Sequence, residues 1–575
     1  MKVFNSDRTI VKNFLFFYVS FLLVTLILPM FNIFKQSLLN SDGDFVMFSN
    51  FVEYFHSPHL LHSLWNSILV SIITTLISVF LSFVYAYAIY HRKIGWSYLF
   101  NFVAILPLLA TTMMHGISLV YLFGNQGFFS KIIPELLNEI LGTNFSLHIP
   151  IYGFLGIIIS EVIYTFPQSF MILAIAFSFA DKRLYEAAET LGASPIKKFF
   201  TVTLPSLKYG LLSATITNFI LSFTDFGAPK IIGGTYNVIA VDIYKQVVGQ
   251  QNIPMGATVG IILLIPSFIA FIADRFIQNK RSITFTSKSV PYTPKKHRIF
   301  DNILKLYCIT VAILILLIIG TSIFASFIKN WPYNFQLTLE HYTFKDVAGG
   351  MESYFNSILI SIYTAVTGTI LIFSGAYLVE KSKIAKLFKS TIQLLALLPL
   401  AIPGLVIGVA YILFFNTVEF NIMGFNIVNP FNFLYGTYTI MVISNIIHFF
   451  SVPFLTALTG LKKLDNEYET VSESLSVPFY KFFTKVTLPM SITTIIEIFF
   501  YLFVNSMVTV SALVFLYTYE TRPATVAIIN MEEAGDVAAA AAMSSLIIFT
   551  NLIFKVIFDL LMKSFRKRSD RWLKH

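Results

Sequence analysis

A chain of 575 residues that is 56% hydrophobic, 16% aromatic and only 12% charged cannot cover a water-facing surface with polar groups. That excludes an ordinary soluble enzyme, and the same figures exclude a disordered chain, which needs low hydrophobicity and high charge. The composition points to an all-α membrane protein, and the single cysteine, Cys308, excludes an intrachain disulfide and a cysteine-based metal cage.

A helix needs about 20 mostly apolar residues to cross a bilayer. Twelve such runs occur, near 12–33, 64–90, 98–123, 151–180, 209–231 and 256–274, then near 306–328, 354–379, 390–416, 436–460, 491–517 and 537–562. The first is too long for a signal peptide and lacks a small-residue cleavage site, so it reads as an uncleaved anchor. With the N-terminus placed inside, 32 of the 40 Lys and Arg fall in inside segments and 7 in outside ones. Cytoplasmic loops collect basic residues, so both termini are expected in the cytoplasm. The net charge of +10 is thereby a topology signal, and no nucleic-acid partner is expected.

The sequence repeats itself. Phe199-Phe200-Thr201-Val202-Thr203-Leu204-Pro205 matches Phe482-Phe483-Thr484-Lys485-Val486-Thr487-Leu488-Pro489. Aligning the Leu-Pro pairs, 284 residues apart, also pairs Asp181 with Asp465, Leu191 with Leu475 and Ser222 with Ser506. Asn66-Ser67-Ile68-Leu69 recurs at Asn356-Ser357-Ile358-Leu359, and Leu106-Pro107-Leu108 at Leu398-Pro399-Leu400. Shared order of several matches is the mark of internal duplication. Both Leu-Pro segments lie on the basic side, so each half crosses an even number of times and the halves are parallel six-helix repeats. The predicted division is 1–276, a basic linker 277–303 broken by Pro291 and Pro294, and 304–575.

Within the first half, the inside loop 181–205 reads as an amphipathic helix, a turn and a second helical piece. Gly192 suits the left-handed end of the first piece and Pro195 the start of the next. Ala187 and Ala188 allow another surface to approach closely. The pattern Glu186-Ala187-Ala188, Gly192 and Val202-Thr203-Leu204-Pro205 resembles the cytoplasmic loop of ABC importer permeases. That resemblance covers nearly the whole chain and implies a type I ABC importer permease fold of about 12 transmembrane helices in a bacterial cytoplasmic (inner) membrane. It implies that loops 181–205 and 465–489 dock two copies of an ABC ATPase subunit, which bind the ATP and magnesium; this chain holds no cofactor. It also implies an extracytoplasmic solute-binding protein. The second loop departs from the pattern. Thr470-Val471-Ser472 stands in place of Glu-Ala-Ala, Ser476 replaces Gly192, and Glu469 lies one position early, which puts equal coupling by the two halves in question.

Fused halves resemble the iron(III) branch of these permeases. Two stretches, Thr224 to Gly234 and Thr509 to Tyr517 with Asn530 to Asp536, resemble permeases for 2-aminoethylphosphonate. The expected solute is therefore 2-aminoethylphosphonate, with ferric iron as the alternative.

No Gly is followed by Lys, so no phosphate-cradling G-x-x-x-x-G-K-[ST] loop exists, and the ten His are scattered. No catalytic residue and no metal site are assigned. A secondary transporter with coupling acids inside the bundle is the competing class. Intramembrane polar residues are costly and mark candidate path positions. These are Asn218, Ser222 and Asp225 in the first half, Asn505, Ser506 and Thr509 in the second, and Glu161 and Asn445, which correspond to each other. Interhelical hydrogen bonding that binds the bundle is the plainer reading of each. Pro107, Pro167, Pro399 and Pro403 are expected to mark kinks.

Overall fold

The computed structural model describes residues 2–142, 144, 146–147, 149–178, 180–281, 292, 294, 297–344, 349–381, 386–422, 425–465 and 467–572. Nearly all of them are helical. The first half comprises α1 (Val11–Ser37), α2 (Pro58–His91), α3 (Ser97–Ile105), α4 (Thr112–Phe123) and α5 (Phe154–Ser178). It continues with α6 (Lys182–Thr190), α7 (Leu204–Thr224), α8 (Gly227–Ile232), α9 (Ile239–Tyr244) and α10 (Ile253–Arg281). The second half comprises α11 (Arg298–Ser326), α12 (Gly350–Lys381), α13 (Lys386–Leu397), α14 (Gly404–Phe415) and α15 (Tyr438–His448). It ends with α16 (Ser451–Lys462), α17 (Glu467–Ser474), α18 (Ile492–Val508), α19 (Ala524–Glu533) and α20 (Val537–Trp572). Two short β-hairpins, Ile328–Asn330 with Asn334–Leu337 and Glu419–Ile422 with Phe425–Val428, cap connections between spans.

Seven of these helices are long and apolar enough to cross a membrane, and four bent pairs bring the number to 11 among the described residues. α7, the fifth expected span, is the one that this count leaves out. It is 21 residues long, about 31 Å at 1.5 Å per residue, but Lys208, Ser213, Thr215 and Asn218 dilute its hydropathy. It packs against α2, α5 and α10, where polar groups find partners.

The bends revise several expected spans. The third turns through 100° between Leu109 and Thr112, and the ninth through 109° between Ala401 and Gly404. Pro107 and Pro399 each sit in a tight 3-10 turn just before the break. Pro403 stands at the N-terminal cap of α14. α5 continues as one helix past Pro167. Packing within a bundle satisfies the carbonyl a proline frees. The break of 76° before Ile492 follows Pro489, and that of 60° before Ser451 comes just ahead of Pro453. The fifth and eleventh spans stop at Thr224 and Val508, short of the expected 231 and 517, and the chain folds back as α8 and α9 or as α19. In the expected linker, α10 continues to Arg281 and α11 begins at Arg298, while Pro291 lies outside the described residues.

Small residues line the seams between spans, because apolar chains gain nothing from leaving lipid and helices associate through close backbone approach. Ser63, Ser67, Ser71, Thr74 and Ser78 form one buried face of α2. Ser353, Ser357, Ser361, Thr364 and Gly368 form the same face of α12 at a constant spacing of 290. The returning hairpins are pinned alike in both halves. Asn66 Nδ2 donates to the Asn237 carbonyl at 3.0 Å, and Ser67 Oγ accepts from the Ile239 amide at 2.8 Å. Asn356 Nδ2 donates to the Glu520 carbonyl at 2.8 Å, and Ser357 Oγ accepts from the Ala524 amide at 2.7 Å.

The halves interlock through their first spans. Tyr411 donates to the Thr25 carbonyl at 2.6 Å and Asn32 to the Leu413 carbonyl at 2.8 Å, tying α1 to α14. A Cβ at Gly375 of α12 would overlap the Tyr18 ring, so glycine is what admits α1 there. Reciprocally, Tyr307 of α11 donates to the Leu81 carbonyl at 2.8 Å, and Arg92 pairs with Asp301 at 2.7 Å.

Candidate functional site

Loops 181–205 and 465–489 carry the expected docking pattern. In the first, Asp181 caps α6 by accepting from the Arg183 amide at 3.1 Å. Tyr185 is the buried face of α6. Its hydroxyl donates to Thr203 Oγ1 at 3.0 Å, and its ring packs on His91 and Tyr292, with centroids 5.3 and 4.1 Å away. Burial pushes the Tyr185 phenol up to about 12, so it stays a neutral donor. Glu186 and Ala187 face outward, with Ala188 half-buried behind them. Glu186 pairs with its helical neighbour Lys182, at 2.8 Å. Gly192 takes φ +70°, and the Ala193 amide returns to the Ala188 carbonyl at 2.9 Å, closing the helix end. Leu191 and Ile196 stand 86% and 72% exposed beside this turn, an apolar face that none of the described residues covers.

The second loop reproduces this frame with other side chains. Leu475 matches Leu191 and is 70% exposed. The Val477 amide returns to the Ser472 carbonyl at 3.0 Å, the counterpart of the Ala193 closure. Ser476 takes φ +54° where the first loop has glycine. A left-handed non-glycine residue costs about 1–2 kcal/mol. Ser476→Gly is therefore expected to raise the stability of α17 by about 1 kcal/mol, read as slower hydrogen exchange over Glu467–Ser474. Glu469 does not occupy the outward position of Glu186. It corresponds to Tyr185 and points into the bundle, where it pairs with Lys381 at 3.1 Å.

The intramembrane polar residues separate into three groups. Asn218 belongs to the seam of α2, α5 and α7, donating to Ser78 Oγ at 3.0 Å, which also accepts from Thr165. Asn505 donates to the Tyr501 carbonyl of its own helix at 2.8 Å. The remaining six form two corresponding clusters. In the second half, Asn445 Nδ2 donates to Ser506 Oγ at 2.7 Å, and the Thr509 carbonyl accepts from Thr525 at 2.9 Å. In the first half, Glu161 lies against Asp225 and Ser222, and Asp225 accepts from the Ala228 amide at 3.0 Å at the start of α8. Tyr164, one turn along α5, lies near both carboxylates and near Tyr501 of the second half. This cluster therefore borders the seam between the halves.

Sequence reading had not singled out Tyr164, Tyr185 or Lys381. Nor had it found the ion pair between Lys230 of α8 and Glu533 of α19, 2.6 Å long, which crosses between the halves at the other end of the bundle. Lys230 also lies over the Tyr244 ring. Only the corresponding spacing of His91 with Tyr185 and Lys381 with Glu469 carried a signal for any of these.

The family model for binding-protein-dependent transport system inner membrane components matches residues 92–283 and again 375–568. Together the two matches cover more than half of the chain. The chain belongs to that family. It is a multi-pass inner-membrane permease of an ABC importer with the type I fold, not an enzyme, and such permeases work with an ATPase and a binding protein. The ferric transport system permease protein FbpB of Actinobacillus pleuropneumoniae is 27% identical over 99% of this chain and 82% of its own length. A putative ferric transport system permease protein FbpB 1 of Haemophilus influenzae is 28% identical over 91% of this chain and 80% of its own. The spermidine/putrescine permease protein PotB of H. influenzae is 24% identical over 49% of this permease but 99% of its own length. One half of the present chain is thus comparable to a whole permease, in keeping with the duplicated fold.

Proposed function

We propose that this permease forms the passage of an ATP-driven importer for ferric iron. Its termini and the loops 181–205 and 465–489 lie in the cytoplasm, and each loop docks one of two ATPase subunits. Those subunits bind and hydrolyse ATP with magnesium. A solute-binding protein delivers its load to the opposite face, at the connections near 34–62, 124–150, 232–255, 328–353 and 417–435. Closure of the ATPase pair is transmitted through α6 and α17 to the bundle.

The observation that carries the docking assignment is the pair of matching exposed turns, Leu191-Gly192 and Leu475-Ser476, held at equal places in the two halves. The ferric assignment departs from the phosphonate expectation, and what supports it is likeness to the ferric permeases over nearly the full two-half length. The second solute reading remains 2-aminoethylphosphonate, favoured by the segments Thr224 to Gly234 and Thr509 to Tyr517. Calorimetry on the partner binding protein separates the two. Tight binding of ferric ion without response to the phosphonate is expected, and the reverse result overturns the ferric reading. Uptake that survives removal of ATP while a proton gradient remains would place the chain among secondary transporters instead.

A further inference from the structure

The two corresponding polar clusters differ in charge. The second half fills its place with Asn445, Ser506 and Thr509, where Asn445 Nδ2 donates to Ser506 Oγ at 2.7 Å and the neutral Oδ1 is left without a partner. The first half fills the same place with Glu161, Ser222 and Asp225. Glu161 is fully buried, and neither of its carboxylate oxygens has a hydrogen-bond partner. The Ser222 hydroxyl, 7% exposed, lies beside it and is also unpartnered. Among the described residues, neither Glu161 nor Asp225 has a basic ion-pair partner. Two facing carboxylates deep in a bundle repel across a medium that screens them weakly, and buried charges persist when paired or bound to a metal. Asp225, Tyr164 and Tyr501 are only partly buried, and Tyr501 belongs to the second half, so the pair lies beside the seam between the halves.

We propose that Glu161 and Asp225 form a cation-binding station on one side of the passage, which takes a hard trivalent metal ion through carboxylate and hydroxyl oxygens. Such donors suit hard cations over soft ones. Ser222 supplies a further oxygen from α7, and Thr112, whose hydroxyl lies against Asp225, supplies one from α4. Among the described residues, no third acidic, histidine or cysteine side chain completes a cage. An incomplete set of ligands holds an ion loosely enough to release it, which is what a passage requires. The station deepens the ferric reading and rests on it for its natural cargo, but its binding is measurable without transport.

The test uses terbium(III) as the probe ion, added to the purified permease–ATPase complex with no binding protein. Tyr164 beside the pair makes tyrosine-sensitised terbium emission the readout. The wild-type complex is expected to show saturable emission, displaced by gallium(III). Glu161→Asn, which copies the second half and so keeps a side chain the fold accepts, is expected to weaken binding about tenfold or more. Asp225→Asn is expected to do the same, with melting temperatures checked for both. Absence of saturable emission in the wild type, or unchanged emission in a folded Glu161→Asn complex, overturns the station. Terbium binding at the pair in an importer that moves the phosphonate and not iron leaves the station standing and removes the ferric reading. Iron uptake with terbium indifferent to both variants does the opposite.

Discussion

Gly192→Pro is expected to reduce ATP-driven uptake to background while the permease still inserts and elutes as a folded complex. Gly192 has φ +70°, and proline is fixed near −65°. The Gly192 amide donates to the Glu189 carbonyl at 2.9 Å, a bond proline cannot make. A Cβ at this position would meet nothing within 4 Å, so crowding plays no part and the backbone carries the whole effect. The cost, about 3 kcal/mol or more, falls on a short exposed helix with little tertiary packing besides Tyr185. The end of α6 would therefore be reshaped, moving Leu191 and Glu186 away from the docking partner. The spans pack without this turn, which is why insertion survives. Gly192→Ser is the internal control. Ser476 already holds a left-handed turn at the corresponding place, so this variant keeps the loop and most of the uptake. Proteoliposome uptake with fluorescence-detected size exclusion measures both properties. Wild-type uptake by Gly192→Pro would remove the docking role of loop 181–205.

Much of this architecture was legible because membrane composition and duplication leave strong marks. Hydropathy located the spans, and the recurring Asn-Ser and Leu-Pro segments placed the two halves in register. The Asn66–Ser67 and Asn356–Ser357 pairs prove to be the pins of the returning hairpins, which explains why polar residues recur there. Direction was less legible. Hydropathy measures how long an apolar run is and not where it points, so the turns of 100° and 109° were hidden inside two apparently simple spans. The buried serine face of α2 and its copy in α12 were readable at the 290-residue spacing, but serines on an apolar helix attract less notice than charges. The candidate path residues divided on grounds no single chain reveals. Asn218 and Glu161 are equally polar and equally buried, yet only Asn218 meets a hydrogen-bonding partner from another helix. Contacts such as Lys381 with Glu469 join positions far apart in the chain, and only the fold brings them together.

Glu469→Ala is expected to lower the stability of the second half by about 3 kcal/mol and to depress uptake with it. Lys381 is 3% exposed and Glu469 19%, at a separation of 3.1 Å. Removing the glutamate takes from the buried Lys381 a carboxylate at ion-pair distance, and breaking a buried pair on one side costs more than the pair itself is worth. Lys381 also donates to the Leu464 carbonyl at 2.9 Å, so the lysine fastens both the end of α16 and the helix α17 that follows. Losing the glutamate therefore loosens loop 465–489 as well as the bundle. Lys381→Met with Glu469→Leu replaces the pair by apolar contact and is expected to recover most of the lost stability, as buried pairs often allow. A double-mutant cycle on thermal unfolding gives the coupling; no change in melting on Glu469→Ala would show the pair to be incidental. The uptake that remains has a separate meaning. The first loop is held by the packed rings of Tyr185, His91 and Tyr292, which this variant does not touch. Residual ATP-driven uptake in Glu469→Ala thus measures what the first loop transmits alone, and a fall as complete as that of Gly192→Pro would mean that both loops must grip together.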